Sequence, residues 1–313
     1  MIVTVTMNPS VDISYQLGKL VINDVNRVEN VSKTAGGKGL NVSRVAKQLG
    51  SNVLATGIIG GTIGEFIQEQ LDQQKIQHDF YQTTKESRNC IAILHEDNQT
   101  EILEAGPTLS EWEENEFLKH FANILRDESV SVITISGSLP KGLSPGCYEK
   151  MIMQANEKDI PLVLDTSGEP FQRVLEATDS KPTVIKPNIS ELSALEGKTL
   201  SGNLNDLKAV LEGTRYQGIE WIIVSMGSKG AFAKHNDWYY RVEVPKIEAV
   251  SPVGSGDATV AGIAAALESK CADEELLKMA MTAGVLNTLE SKTGQINREN
   301  YDFYYRQIQV TRI

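Results

Sequence analysis

Residues 253–264 have the sequence VGSGDATVAGIA, a glycine-rich turn that leads directly into a helix of small residues. Such a turn presents free backbone N–H groups beside the positive end of the helix dipole, which suits an anion or a developing negative charge. Asp257 stands at the predicted helix start, where a carboxylate is also a favoured N-cap. A cap does not need Gly254, Ser255 and Gly256 before it, whereas a base aimed at a hydroxyl needs backbone that a phosphoryl group can approach closely. The stretch therefore indicates either a capped helix or a site for phosphoryl chemistry.

A second glycine cluster, AGGKGLN at residues 35–41, precedes a predicted helix over Leu40–Leu49. It is neither a Walker A loop nor a dinucleotide fingerprint, because GxxxxGKS/T is absent and no GxGxxG follows a strand. A plain strand-to-helix turn would explain the glycines. Alternatively, the pair Gly36-Gly37 lets a sugar lie against the backbone while Lys38 and Asn41 bond its hydroxyls.

The third cluster, KPNISE at residues 186–191, follows a predicted strand. Pro187 ends the strand and Asn188 can cap the next helix, with Glu191 at the position of a capping box. The alternative is that Asn188 and Glu191 hold a hydrated Mg²⁺ beside nucleotide phosphates, since Mg²⁺ needs few carboxylates and keeps several waters. Position in the sequence leaves both interpretations open.

Short apolar runs alternate with helical segments after Val53, the pattern of a mostly parallel α/β sheet that helices cover on both faces. The predicted strands are Met1–Thr6, Val53–Ile59, Val130–Ile135, Leu162–Asp165, Thr183–Lys186 and Trp221–Ser225, with a hairpin near Ala231–Val244. The predicted helices, besides Leu40–Leu49, are Ile63–Gln73, Gly146–Lys158, Ser190–Leu195, Leu204–Glu212, Ala258–Glu268 and Glu274–Leu289. No repeat or linker divides residues 1–313, which are predicted to form a single domain.

Two segments interrupt this alternation, at about residues 10–34 and 87–105. The first has polar alternation without a helical period, and the second is a predicted hairpin that turns at residues 96–98. We predict that they supply four short strands of a small β-sheet lid over the edge of the main sheet. Exposed apolar residues on such a lid need a partner surface, which predicts a homodimer through the lid. These residues are Val11, Ile13, Tyr15, Val25, Ile91 and Ile93.

Net charge and composition restrict the function. A formal charge of −11 and a pI near 5.0 disfavour binding to nucleic acid or anionic lipid. No apolar run approaches the roughly 20 residues that span a bilayer, and the N-terminus lacks a signal-peptide pattern. Three scattered cysteines without a CxxC pair, Cys90, Cys147 and Cys271, suit a reducing cytosol. We therefore expect a cytoplasmic protein without nucleic-acid or membrane partners.

Four motifs together resemble those of the ribokinase-like sugar kinases, also called the phosphofructokinase B family. In chain order they are NPSVD at residues 8–12, GGKG at 36–39, Asn188 with Glu191, and GSGD at 254–257. The resemblance covers essentially the whole chain, and its last motif is the most specific. It implies a ribokinase-like domain with a β-sheet lid, which phosphorylates a small sugar substrate with ATP and Mg²⁺.

The resemblance also implies roles for individual residues. Asp257 would be the catalytic base, with an anion hole formed by Gly254, Ser255 and Gly256. The sugar would be bound by Asp12, Gly37, Lys38 and Asn41. The nucleotide site would contain Lys186, Asn188, Ser225, Gly227, Gly230, Gly254, Gly256 and Asn287, and Mg²⁺ would be held by Asn188 and Glu191.

Arg27, Arg88 and the segment SGSLP at residues 136–140, which contains Ser138, resemble the family members that act on sugar phosphates. Two guanidiniums can clamp a phosphate bidentately, which a neutral sugar does not require. Solvated surface arginines are the alternative. The resemblance is closest to members that phosphorylate D-tagatose 6-phosphate to the 1,6-bisphosphate, with those that phosphorylate fructose 1-phosphate second.

In the expected mechanism Asp257 accepts the proton of the sugar hydroxyl that attacks the γ-phosphorus, at an ordinary carboxylate pKa of about 4. A non-catalytic sugar or nucleotide sensor is a further alternative, because a fold does not fix function. That alternative predicts a damaged site, whereas Asp257 and Glu191 are intact. Metal-hydrolase and Ser-His-Asp chemistry are disfavoured, since the sequence has no HxxH spacing and no GxSxG elbow.

Overall fold

The computed structural model of the protein describes residues 1–96 and 98–313. Its strands are β1 Ile2–Thr6, β2 Ser10–Gln16, β3 Val31–Gly36, β4 Val53–Gly60, β5 Gln77–His78, β6 Tyr81–Thr83, β7 Arg88–His95, β8 Asn98–Leu103, β9 Val132–Ser136, β10 Leu162–Asp165, β11 Val184–Ile185, β12 Trp221–Ser225, β13 Ala231–His235, β14 Trp238–Glu243 and β15 Gln309–Arg312. Its α-helices are α1 Lys38–Leu49, α2 Gly61–Gln73, α3 Glu111–Ile124, α4 Cys147–Asn156, α5 Glu169–Glu176, α6 Ile189–Glu196, α7 Leu204–Leu211, α8 Ser255–Glu268, α9 Asp273–Thr288 and α10 Tyr301–Tyr305.

The main sheet has the strand order β15-β14-β13-β12-β11-β10-β9-β1-β4-β5, and β6 also pairs with β4. Neighbouring strands are parallel from β12 to β5, whereas β13, β14 and β15 form an antiparallel edge. β1 is an interior strand, because Val3 is in register with Ile133 of β9 on one side and with Leu54 of β4 on the other. The predicted mostly parallel sheet is confirmed.

Alternate residues of the central strands enter two apolar layers, one on each face of the sheet. On one face Ile2 and Val132 pack with residues of α1, α8 and α9. On the other face Val3 and Ile133 pack with residues of α3 and α4. Both faces are therefore buried, as the continuous apolar runs predict for a parallel sheet with helices on both sides. Within the described part of the chain, no helix is both long and apolar enough to cross a membrane.

The predicted helices and strands are present, with bounds that differ by a few residues. The difference that matters most is at α8, which begins at Ser255 and not at Ala258. Helices α3, α5 and α10 and strands β5, β6 and β15 were not predicted from the sequence. A signal for α3 was available, because Ser110 and Glu113 form a capping box at its start. β15 pairs with a strand more than sixty residues earlier, so no local pattern marks it.

A separate sheet with the order β3-β2-β7-β8 confirms the predicted lid. β2 and β7 are parallel, and the other two pairs are antiparallel. The predicted turn at residues 96–98 connects β7 to β8, and its middle residue lies outside the described residues.

The lid has one face against α2 and one face towards a cleft at the edge of the main sheet. Val11 and Ile13 are only 5% and 9% exposed, because they join the apolar layer that includes Ile67 of α2. The prediction that these two residues are exposed is therefore wrong, since the same chain already covers them. Val25, in contrast, is 71% exposed on the segment between β2 and β3.

Candidate active site

A cleft of about 560 Å³ lies between the carboxyl ends of the parallel strands and the lid. Ligands of open parallel sheets bind at this edge, outside the carboxyl ends of the strands. The cleft brings together residues from the two glycine clusters, from the KPNISE cluster at residues 186–191 and from both lid segments. The predicted site residues that line it are Asp12, Gly37, Lys38, Asn41, Arg88, Lys186, Asn188, Glu191, Ser225, Gly227, Gly254, Ser255, Gly256 and Asp257.

Four other predicted site residues lie outside this lining. Arg27 is exposed between β2 and β3, and Ser138 is exposed just after β9. Gly230 is buried at the start of β13, with a left-handed φ of 82°. Asn287 is fully buried below the glycine turn, where its Nδ2 donates to the carbonyl oxygen of Gln295 at 2.8 Å. The binding roles of these four residues remain predictions.

The glycine turn places the start of α8 at the cleft. Gly254 is the N-cap residue with a left-handed φ of 84°, and a Cβ there would lie 3.0 Å from Oδ1 of Asn287. Glycine is therefore required by both conformation and space. Asp257 is the third residue of the helix and makes no capping hydrogen bond, so the N-cap explanation is wrong. The Ser255 amide donates to the carbonyl oxygen of Pro252 at 3.3 Å, whereas the amides of Gly256 and Asp257 have no intrahelical acceptor and remain available to an anion.

Asp257 is a buried carboxylate, 6% exposed, whose Oδ2 accepts a hydrogen bond of 2.7 Å from Nδ2 of Asn41. Burial and the negative charge of Asp165 raise the pKa of Asp257 to about 6. The hydrogen bond from Asn41 and the charges of Lys38 and Lys186 oppose this shift. The expected ordinary pKa is therefore wrong, because the sequence does not reveal either the burial or the neighbouring carboxylate.

Asp165 also lines the cleft, although its position in the sequence predicts only the end of a strand. Its carboxylate is buried and forms ion pairs with Lys186 at 3.4 Å and with Lys38 at 3.5 Å. Burial favours the neutral acid, but the two ammonium groups outweigh it and hold the pKa of Asp165 below its ordinary value. The Nζ of Lys186 lies 3.3 Å from the position a Cβ would take at Gly256. Asp165 therefore positions a cation beside the glycine turn.

Asn188 and Glu191 form the capping box at the start of α6. Oδ1 of Asn188 accepts from the Glu191 amide at 2.8 Å, and Oε2 of Glu191 accepts from the Asn188 amide at 2.9 Å. The capping interpretation is thus confirmed, while both residues also line the cleft. The capping box uses only one carboxylate oxygen of Glu191. One carboxylate beside an amide fits a Mg²⁺ ion that keeps most of its waters.

The lid contributes Asp12 and Arg88 to the opposite side of the cleft. Oδ1 of Asp12 accepts from the hydroxyl of Ser10 at 2.7 Å, and burial raises the pKa of Asp12 above its ordinary value. The guanidinium of Arg88 donates to the carbonyl oxygen of Asn8 at 3.0 and 3.1 Å and to that of Glu104 at 3.0 Å. Arg88 therefore links two of the connections between the lid and the main body, the one before β2 and the one after β8.

Arg44 lies behind this part of the cleft and was not predicted from the sequence. It lies on α1 one turn after Asn41 and is buried. Its Nη1 donates to the carbonyl oxygen of Ala35 at 2.6 Å, and its Nη2 donates to Oδ1 of Asn41. Nothing in its position within a predicted amphipathic helix distinguishes it from a solvated arginine.

A buried carboxylate, two helix-start amides without an intrahelical acceptor and two cations lie together at the carboxyl edge of a parallel sheet, with a lid opposite, an arrangement suited to phosphoryl transfer. Residues 5–300 match the pfkB family of carbohydrate kinases. The chain belongs to this family and is an ATP-dependent sugar kinase.

Solved structures with the same fold cover nearly the whole chain. Phosphofructokinase-2 from Escherichia coli, in complex with potassium, is 26% identical with a TM-score of 0.89, over 97% of this chain and 98% of that chain. The same E. coli enzyme in complex with fructose-6-phosphate matches with 25% identity and a TM-score of 0.86, over the same shares. A protein from Thermotoga maritima described as a possible 1-phosphofructokinase is 25% identical with a TM-score of 0.88, over 100% of this chain and 99% of that chain.

Proposed function

We propose that the enzyme transfers the γ-phosphoryl group of ATP to a hydroxyl of a ketohexose phosphate, with the C1 hydroxyl of D-tagatose 6-phosphate as the first candidate. The observation that carries this proposal is that Asp257 and Arg88 line the same cleft from opposite sides. A carboxylate base and a guanidinium in one cleft fit a substrate that has both a reactive hydroxyl and a phosphate.

Asp257 would accept the proton of the attacking hydroxyl. Asn41 holds its Oδ2, which leaves Oδ1 for the sugar. Because burial raises the pKa of Asp257 to about 6, the carboxylate is mostly ionised at neutral pH and remains basic enough to take a proton late in bond formation.

The start of α8 would stabilise the charge that develops on the transferred phosphoryl oxygens. The free amides of Gly256 and Asp257 and the ammonium of Lys186 lie together at this point. Loss of one such donor costs on the order of 10²–10³ in rate in other enzymes. Asp165 contributes by holding Lys186 and Lys38 in place.

Asn188 and Glu191 would hold the Mg²⁺ that accompanies ATP. The ion supplies charge neutralisation of the nucleotide phosphates. The capping box fixes both side chains at the start of α6, and the second oxygen of Glu191 would face the ion or its waters. Ser225 and Gly227 line the cleft beside this pair and would border the nucleotide.

The substrate phosphate would bind to Arg88 on the lid. Arg27, on the exposed segment between β2 and β3, would join it when the lid closes, and closure would exclude water from the reacting phosphoryl group. A fructose phosphate is the second candidate. It is favoured by the similarity to the fructose-6-phosphate complex of E. coli phosphofructokinase-2 and to the possible 1-phosphofructokinase of T. maritima.

The test is ADP formation with Mg-ATP and, in turn, D-tagatose 6-phosphate, D-fructose 6-phosphate, D-fructose 1-phosphate, D-fructose and D-tagatose. The highest kcat/KM on D-tagatose 6-phosphate, with little turnover of the free sugars, is the expected result. The highest value on a fructose phosphate would transfer the assignment to the second candidate. Strong turnover of a free sugar would contradict the phosphate clamp, and absence of sugar-dependent ADP would favour a non-catalytic sensor.

We also propose that the enzyme is a cytoplasmic homodimer that forms through the lid. Large apolar side chains remain exposed on the lid and its connecting segment, namely Val21, Ile22, Val25, Val31, Ile102 and Leu103.

Cys90, Cys147 and Cys271 are free thiols, which fits a reducing compartment. The acidic surface gives no reason to propose a nucleic-acid or membrane partner.

A further inference from the structure

Arg44 lies directly behind the site without lining the catalytic cleft. Its guanidinium joins the end of lid strand β3, through the carbonyl oxygen of Ala35, to Asn41 on α1. Gly294, in a loop after α9, lies against the guanidinium of Arg44. Its φ is 66°, and a Cβ at Gly294 would lie 2.8 Å from Nε of Arg44. Arg44 is therefore enclosed by two elements besides its own helix, and only the absence of a side chain at Gly294 makes room for it.

The two neighbours of Asn41 allow its carboxamide only one orientation. A guanidinium can only donate, so Oδ1 of Asn41 must face Arg44. Nδ2 then faces Asp257, at 2.7 Å from its Oδ2. Because arginine stays protonated in proteins, this constraint holds over the whole working pH range. Without Arg44 the amide could rotate and present Oδ1 to Asp257, where only a protonated carboxyl could bond to it.

We propose that Arg44 is a positioning residue for phosphoryl transfer, an inference that rests on the proposed function of Asp257 as the base. It fixes the amide of Asn41 so that the amide nitrogen donates to Asp257, and it places a positive charge behind both Asp12 and Asp257. It acts through Asn41 and does not touch the substrate.

The charged and titratable groups around Asp257 come from several elements. Asp165 of β10 opposes its ionisation, whereas Lys38 of α1, Lys186 after β11 and Arg44 favour it. Arg44 is the member of this set that also controls a hydrogen bond to Asp257. Its removal therefore has two effects of the same sign, since both the lost charge and the freed amide favour the protonated acid.

Titration of Asp257 in the ligand-free protein tests the proposal without any substrate. The protein is labelled with ¹³C at the aspartate carboxyl carbons, and the Asp257 signal is assigned by its loss in Asp257→Asn. The midpoint is measured in wild type, Arg44→Met and Arg44→Lys. Lys181→Met is the matched control, because Lys181 also donates to backbone carbonyls, those of Val174 and Leu175, but is not among the residues that line the cleft.

We expect a midpoint near 6 in wild type and about one pH unit higher in Arg44→Met. Arg44→Lys, which keeps the charge but loses the planar fork, should lie between them, and Lys181→Met should match wild type. A folded Arg44→Met with the wild-type midpoint would overturn the proposal. If Arg44→Met does not fold, Arg44→Lys provides the same test. An unchanged midpoint of Asp257 in Arg44→Lys would contradict the proposal that the planar guanidinium fixes the orientation of the Asn41 amide.

Steady-state kinetics give the second readout. The kcat/KM of Arg44→Met should fall about fivefold more at about pH 6 than at about pH 8.5, since a carboxylate with a raised pKa recovers at high pH. An equal loss at both pH values would mean a purely structural role. A wild-type enzyme without sugar-dependent activity would contradict the proposed function, but the carboxyl titration would still decide the role of Arg44.

Discussion

The side-chain amide nitrogen of Asn41 lies 2.7 Å from Oδ2 of Asp257, although 216 positions separate the two residues in the chain. Asn41 belongs to α1, which begins just after lid strand β3, and Asp257 belongs to the first turn of α8. The two helices pack together on the same face of the main sheet. This contact joins a residue predicted to bind the sugar to the residue predicted to accept its proton. Movement of one therefore disturbs the other.

Asp257→Asn should lower kcat by at least about 10²–10⁴, because the base is lost while the fold and the cleft remain. The variant should also be more stable at neutral pH. The folded pKa of Asp257, about 6, is above that of an unfolded aspartate, so stability from this group is fully present below about pH 4 and is lost as the pH rises through about 6. Asparagine avoids this loss, and the free energy of unfolding at about pH 7 should rise by up to about 3 kcal/mol.

Denaturant unfolding at about pH 4 and pH 7 measures this effect, together with kcat at saturating substrates. The gain in stability should be present at the higher pH and nearly absent at the lower one. A kcat within about tenfold of wild type would show that Asp257 is not the base.

The kcat/KM of the wild-type enzyme should fall below an apparent pKa near 6, since only the ionised carboxylate of Asp257 can accept the proton. A phosphate monoester also titrates near pH 6, so the acid limb alone does not identify Asp257. Repeating the profile with a sugar that lacks a phosphate removes this ambiguity where residual turnover allows it. A limb near pH 4 in both profiles would contradict the raised pKa.

The main sheet, the lid and most of the site were predictable from the sequence, because each rests on a local pattern. The turn at Gly254 needs a left-handed residue and free amides, and Asn188 with Glu191 needs the spacing of a capping box. Both requirements are visible within a few residues. The covering of Val11 and Ile13 by α2 was not visible, because it depends on how the lid lies against the main body.

There is a different reason why two residues in or behind the cleft were not predicted. Asp165 and Arg44 act through contacts with residues distant in the chain or through burial, and neither belongs to a glycine motif. One weak signal existed for Asp165, since an acidic residue at the carboxyl end of a parallel strand stands where ligands bind. For Asp257 the residue was predictable but its pKa was not, because that value depends on Asp165.

Asp165→Asn should move the acid limb of kcat/KM to lower pH, because the negative charge of Asp165 is one of the two causes that raise the pKa of Asp257. This shift in the pKa of Asp257 is opposite in sign to the shift expected for Arg44→Met. The variant should also lose stability, on the order of 3 kcal/mol, since the buried ammonium of Lys186 is left without its carboxylate. pH profiles and denaturant unfolding measure the two effects.

Glu114→Gln is the matched control for Asp165→Asn. Glu114 is a buried carboxylate outside the cleft that accepts from Lys150 at 2.7 Å and from the amide of Ser144 at 2.6 Å. Its replacement should lower stability to a similar degree without a change in the pH profile. If both variants move the acid limb equally, the shift reflects general destabilisation and not the charge of Asp165.

Arg88→Lys should raise KM for the sugar phosphate by about tenfold to a hundredfold, because an ammonium cannot bind a phosphate bidentately. The KM for ATP and the residual turnover of a free sugar should change little. Arg126→Lys, at an exposed arginine outside the cleft lining, should have no effect. Arg88 also donates to the carbonyl oxygens of Asn8 and Glu104, so an equal loss with phosphorylated and free sugar would mean that it only braces the lid.

Ile102→Lys should convert the enzyme from a dimer to a monomer. Ile102 is 54% exposed on β8, the outer strand of the lid, whose residues are exposed along its whole length. An open apolar edge of this kind pairs readily with another copy, and a lysine there opposes pairing. Trp112→Lys is the control, since Trp112 is 66% exposed on α3, which is not part of the lid. Sedimentation velocity at micromolar concentration measures both variants.

A wild-type protein that sediments at 34.3 kDa would contradict the lid dimer directly. If Ile102→Lys is monomeric, its activity separates two ways in which the lid could work. A rise in KM for the sugar phosphate with KM for ATP unchanged would mean that the partner helps to hold the lid over the substrate, since only the substrate side of the cleft is built from lid residues such as Asp12 and Arg88. Unchanged kinetics would mean that the packing of Val11 and Ile13 on α2 is enough to position the lid within one chain.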